Sequence, residues 1–305
     1  MKRLLNDRNF LLLSGLILGL LWEGAAGWTE QFMFPALALI MTVAVMGLQG
    51  DVFISIRVLL SHGSAGIMMS YAVHGLFILG LSYLLITDQA LWSGFVILAA
   101  VPPAVAVIPF SIFLNGNRAV SLIGTVGAYL GALIIAPLIA LTFLGSNFIS
   151  PLKVLVIIAE LIVMPVILAR LLIWTGLSRI INPVRGTITN WSFFLITYTI
   201  VALNQKVFIT QPLSLLPIAF IAFSGTFLLG WIVETAAKKL HLAQDVTVSI
   251  VLLGTLKNYG LSGGLALSFF DQRAAIPSTV SVVFMILYII WLEYRKRRAD
   301  KARIR

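Results

Sequence analysis

Lys257-Asn258-Tyr259-Gly260, followed at once by Ser262-Gly263-Gly264, puts an ammonium, polar oxygens and helix-weakening glycines inside one apolar run. That run, residues 246–269, can cross a bilayer, which takes about 20 apolar residues. A charge at mid-membrane depth costs about 3 kcal/mol on insertion scales, and each glycine costs roughly 1 kcal/mol in a helix interior. A segment that only had to cross would use Leu and Ala. The pattern predicts a broken helix whose loosened backbone lines a cavity, with Lys257 on a substrate or ion pathway. The plainer alternative is a buried ion pair that serves stability. Snorkelling does not serve, because about 11 residues lie on either side of Lys257, each rising about 1.5 Å.

The acidic residues best placed to meet Lys257 are Glu23 and Glu160; Glu160 can equally form a fixed pair with Arg170. His62, His74 and His241 are scattered without metal-ligand spacing, and no phosphate-binding loop is present. With no cysteine, disulfides and thiolate metal sites are excluded. We therefore expect no enzyme activity, no cofactor and no metal site. Gly124, Gly127 and Gly131 recur at helical spacing and are expected to be helix-contact residues rather than a nucleotide site.

The elements that must hold Lys257 are membrane spans. The 305 residues are 60% hydrophobic and 10% charged, with a mean hydropathy of +1.05, against about 25% charged residues in soluble domains. Met1-Lys2-Arg3 leads into an apolar run with no small-residue cleavage site, so no cleaved signal is expected. Spans are expected near 9–26, 32–48, 66–86, 91–114, 119–144, 152–174, 191–205, 212–236, 246–269 and 275–294. The fourth carries Pro102-Pro103 and Pro109, and proline removes a backbone donor and clashes with the preceding turn. With ten spans, all basic residues fall on the terminal side except Lys153, Lys206, Arg273 and the intramembrane Lys257. The positive-inside rule then places both termini in the cytoplasm, in a multi-pass protein of the cell (inner) membrane. The net charge of +10 sits largely in the basic tail at 295–305, a cytoplasmic anchor against lipid rather than a nucleic-acid surface.

Breaks in the fourth span of each five-span set point to two inverted halves, about 9–145 and 152–294, within one transmembrane domain covering 1–305. The expected fold is all-α and polytopic: ten transmembrane helices in two inverted five-helix repeats, with broken helices four and nine crossing. The segments around Pro102 to Pro109 and Lys257 to Gly264 should be non-helical, lie near mid-membrane and approach each other.

From Gly94 the text reads GFVILAAVPPAVAVIPFSIFLNGNRAVSLIGTVGAYLGALIIAPLIA. It resembles the fourth and fifth helices of the bile acid:sodium symporter family, whose pattern is close to GxxxxxCCPGGxxSNxxTxLAxGNxxLSxxxT with a later APL. The matching positions are Gly94, Pro102, Gly116-Asn117, Ser121, Thr125 and Ala136-Pro137-Leu138. GTLKNYGLSGGLAL resembles the family's ninth helix and its Glu-x-x-x-Gln-Asn motif, with Pro277 following, and the link with Asp51 and Arg57 also fits. The resemblance implies a secondary transporter of organic anions with two sodium ions held by side-chain oxygens of the broken helices.

Carried over by position, Ser121 and Thr125 keep their oxygens. Val107 and Ile108 stand where the family has Ser-Asn, Leu253 where it has the glutamate, and Lys257 where it has the glutamine; Asn258 is kept. A hard cation needs several oxygen ligands, so sodium coupling is not expected. Lysine either supplies permanently the charge that sodium supplies in the family or releases a proton during the cycle. The resulting expectation is a small organic anion carried by alternating access, with Lys257, Asn258, Tyr259, Ser121, Thr125, Pro102, Pro103 and Glu160 on its path, and protons as a possible coupling ion. A cation/proton exchanger or an arsenite-type carrier is the alternative, the latter disfavoured by the absence of cysteine. A channel or receptor is the alternative of a different class.

Overall fold

The computed structural model describes residues 7–46, 55–145, 151–210 and 212–304. Lys2, Arg3, Asp51 and Arg305 lie outside the described residues. The chain is all-α. Its main helices are α1 (Arg8–Leu21), α2 (Met33–Met46), α3 (Ile56–Leu85), α4 (Gln89–Ala100), α5 (Val107–Phe113) and α6 (Arg118–Leu144). After these come α7 (Pro151–Trp174), α8 (Ser178–Leu203), α9 (Pro212–Lys239), α10 (Gln244–Leu253), α11 (Tyr259–Phe269) and α12 (Gln272–Ile304). Among the described residues, α3, α6, α8, α9 and α12 contain stretches long and apolar enough to cross a membrane. They mark the chain as a multi-pass membrane protein. Helices α1, α4 and α10 are apolar but shorter.

Helix starts follow local chemistry. Asp7, Asp88, Asn117, Asn258 and Asp271 each turn a side-chain oxygen onto a backbone N–H three residues on, which satisfies a donor the helix cannot. Two helices carry a wide π-helical turn: Met68–Gly75 in α3 and Ser224–Leu228 in α9. These turns face each other, since a Cβ on Gly225 would lie 3.3 Å from Nε2 of His74.

Packing divides the helices. Helix α1 lies along α8, and α2 lies along both α7 and α8. In the other group α3 lies along α6, α9 along α12, and α12 along α4 and α11. The α3–α6 contact is made by glycine: a Cβ on Gly127 would sit 2.5 Å from the Gly63 Cα, and one on Gly131 would sit 3.0 Å from Ile67. Gly124, expected as a contact residue on spacing alone, touches both Gly66 of α3 and Leu253 of α10. Close backbone approach is what small residues bring to helices in lipid, where no hydrophobic effect drives association.

Three boundaries differ most from the sequence expectation. Helix α3 begins at Ile56 rather than near residue 66, because the amphipathic link is itself helical. Helix α8 begins at Ser178 rather than near 191, reaching past the polar stretch through a tight turn at Asn182–Val184. Helix α12 continues through the basic tail to Ile304, as a run of Arg and Lys, good helix formers, allows.

Candidate functional site

Both expected interruptions exist, and they meet. Residues 101–106 separate α4 from α5, and residues 254–258 separate α10 from α11. Pro103 and Lys257 pair as an isolated antiparallel bridge. Ala104 N–H donates to the Leu256 carbonyl at 3.0 Å, and Asn258 N–H donates to the Pro102 carbonyl at 3.0 Å. Each unwound segment thus supplies partners for backbone groups that the other has freed, which a break buried in apolar surroundings requires.

The breaks are shorter than the sequence implied. Pro109 lies in the first turn of α5, where a missing N–H costs nothing. Gly260, Ser262, Gly263 and Gly264 lie inside α11, not in the interruption. Their small size serves packing: a Cβ on Gly260 would lie 2.9 Å from Ile196 and 3.2 Å from Leu37, and one on Gly264 would lie 3.2 Å from Phe34. The glycines let α2 and α8 close onto α11.

Lys257 is 0% exposed. Its Nζ donates to the Ala99 carbonyl at 2.9 Å, the Val101 carbonyl at 2.8 Å and the Ser70 hydroxyl at 3.1 Å. An ammonium has three donors, and all three are engaged. Ala99 and Val101 are the last turn and cap of α4, where carbonyls lack helical partners and the helix dipole is negative. The lysine is therefore a cationic cap on the first half-helix, supplied by the strand-like break of the second. The Tyr71 ring stands 4.6 Å from Nζ, and its hydroxyl donates to the Ala128 carbonyl at 2.9 Å. Asn258 uses Oδ1 to cap α11 at Leu261 N–H, 3.0 Å, and donates through Nδ2 to the Tyr129 hydroxyl at 2.8 Å. Tyr259 is buried and donates to the Thr255 carbonyl at 3.3 Å.

Other expected residues fall elsewhere. Glu160 is exposed on α7 and takes part in none of the ion pairs among the described residues, so it meets neither Lys257 nor Arg170. Glu23 pairs with Lys206 at 3.7 Å. Ser121 and Thr125 are buried on α6; Thr125 donates to the Ser121 carbonyl at 2.6 Å, and the Ser121 hydroxyl has no partner among the described residues. Neither bonds Lys257. Leu253 is fully buried against α6, and Val107 is fully buried at the start of α5. No cluster of His, Cys, Asp or Glu suited to a metal occurs among the described residues. Sequence reasoning missed Ser70, Tyr71 and Tyr129. Ser70 and His74 stand four residues apart within a span, a polar pair on one helical face that was available as a signal.

Two cavities lie at opposite ends of α1. One, of about 750 Å³, is lined by Arg8, Glu293 and the break residues Val105 and Ala106. The other, of about 580 Å³, is lined by Glu23, Lys206 and Arg273. At the first, Arg8 pairs with Glu293 and lies 4.2 Å from the Phe110 ring centre, while Asn9 donates to Glu293 at 2.8 Å. The chain matches no protein-family model, and no curated protein matches it.

Proposed function

We propose that this protein is a secondary active transporter of a small organic anion, working by alternating access like members of the bile acid:sodium symporter family. The observation that carries the reading is the pairing of two interrupted helices at their breaks around a fully buried ammonium. Discontinuous helices with unwound backbone at mid-depth are how secondary transporters build a site. Cavities at both ends, with Lys257 buried, support a carrier over an open channel.

Ten spans in two inverted halves belong to the same proposal. Exchanging the halves turns the α1–α8 contact into α7–α2, α3–α6 into α9–α12, and α4–α12 into α10–α6, and all of these contacts occur. The π-helical turns occupy the third span of each half and the interruptions the fourth. An odd number of spans per half orients the halves oppositely, with both termini in the cytoplasm.

The ammonium at the crossing takes the role a coupling cation has in the family. Its partners are two backbone carbonyls and a hydroxyl, oxygen atoms of the kind a hard cation takes. Two carbonyls and a hydroxyl give each N–H of an ammonium an acceptor, and we propose that Lys257 acts as a fixed charge. Uptake of organic anions into proteoliposomes should therefore proceed in choline buffer as in sodium buffer. A saturable sodium requirement at fixed pH would overturn the fixed-charge reading, and the absence of saturable anion uptake under any gradient would overturn the carrier.

A further inference from the structure

The cavity beside Arg8 holds more positive charge than the protein neutralises. Arg8, Arg118, Arg185 and Arg297 line it together with only Asp7 and Glu293, an excess of two positive charges. Arg8 is spent on Glu293, and Asp7 caps α1 through one oxygen. Arg118 at the start of α6, Arg185 on α8 and Arg297 on α12 are exposed, and no ion pair among the described residues includes them. Orientation in the membrane explains cationic residues on this side but not their convergence. Arg57, Arg170, Arg179 and Lys239 serve that end equally, and none of them lines the cavity. The remaining lining is largely apolar and includes Ile40, Val105, Ile112 and Leu122. At the crossing, by contrast, Lys257 has no donor left for an anion, and Asn258 already occupies the Leu261 N–H.

We infer that this vestibule binds an amphipathic dianion, with a phosphate-monoester head among Arg118, Arg185 and Arg297 and an apolar body against α2 and α5. Guanidinium forks match phosphate oxygens two at a time, which lysine cannot do. Two negative charges balance the excess, and the apolar lining favours an ester with a hydrophobic body over inorganic phosphate. The inference rests on the carrier reading only in taking the vestibule as the substrate's cytoplasmic mouth. The head belongs either to a soluble metabolite or to a lipid.

The test is calorimetric titration of the purified protein in neutral maltoside micelles at pH 8 with phenyl phosphate, phenyl sulfate and inorganic phosphate. The sulfate keeps the ring but carries one charge. Phenyl phosphate should bind at least about tenfold more tightly than either, and Arg118→Gln, Arg185→Gln and Arg297→Gln should each weaken it about tenfold. Arg170→Gln should leave it unchanged. Equal binding of the sulfate, no binding of phenyl phosphate at millimolar concentration, or binding indifferent to all three arginines would overturn the inference. In nanodiscs, loss of phenyl phosphate binding on adding phosphatidate assigns the head to a lipid; unchanged binding assigns it to a soluble substrate. Arginine-dependent binding alongside normal transport by Lys257→Ala would sink the carrier's crossing and spare the vestibule. Loss of transport in Lys257→Ala with arginine-independent binding would do the reverse.

Discussion

The crossing and the vestibule solve opposite problems with the same sign of charge. At the crossing one ammonium is buried completely, and each of its donors has an acceptor. In the vestibule three guanidinium groups are exposed and pair with no carboxylate among the described residues. A buried charge is tolerated only when its donors are met, so the first arrangement is a part of the fold. Exposed cations around an apolar wall are stable in water without a partner and remain available. The difference separates a charge that holds helices from charges that hold a ligand.

Removing the first kind should have the largest effect. Lys257→Ala leaves the Ala99 and Val101 carbonyls of the α4 end without their cation, and we expect uptake to fall about 100-fold, equivalent to about 2.7 kcal/mol. Normal uptake by this variant would make Lys257 purely structural. On stability, rather than transport, the largest effect is expected of Glu293→Ala. It strands Arg8 against Phe110, with an expected loss of about 3 kcal/mol of stability, read by thermal unfolding in detergent. The same change raises the vestibule's positive charge, so phenyl phosphate should bind more tightly; weaker binding would mean that the charges do not share one site. Asn258→Ala removes the cap of α11 and the partner of Tyr129, and should cost about 1–2 kcal/mol. The smallest effect is replacement of sodium by choline, which should change uptake less than about twofold where a hard cation has too few oxygen ligands. Leu253→Glu with Lys257→Gln, which rebuilds part of a cation site, should then gain a sodium response.

The centre of the site was legible in sequence because it violates local rules. A lysine in the middle of an apolar span and Pro102-Pro103 in another have no cheap structural explanation, and both mark real interruptions. The glycines after Tyr259 misled, because small residues serve either a break or a close contact and only the neighbours decide. Here Phe34, Leu37 and Ile196 decide for contact. The cage around Lys257 was hidden for a different reason. Two of its three acceptors are backbone carbonyls, which carry no residue signature, and the third, Ser70, is presented by a π-helical turn that alters the helical register. The vestibule arginines are far apart in sequence, and each alone reads as a membrane anchor. Glu160 illustrates the limit of depth arguments: it lies at a plausible level but on an exposed face of α7.

Helix α12 has a mechanical consequence. Its 33 residues make a rod of about 50 Å, whereas the hydrocarbon slab is about 30 Å thick. Standing upright, it projects its basic end well into the head groups and beyond, as a stiff mast rather than a loose tether. A rotation of about 10° about its midpoint would swing the mast head by about 4 Å, given that rise per residue. A spin label at the exposed Asp300 would therefore serve as a pointer on a dial, reporting from outside the bilayer how far the helices around the crossing lean as the protein works.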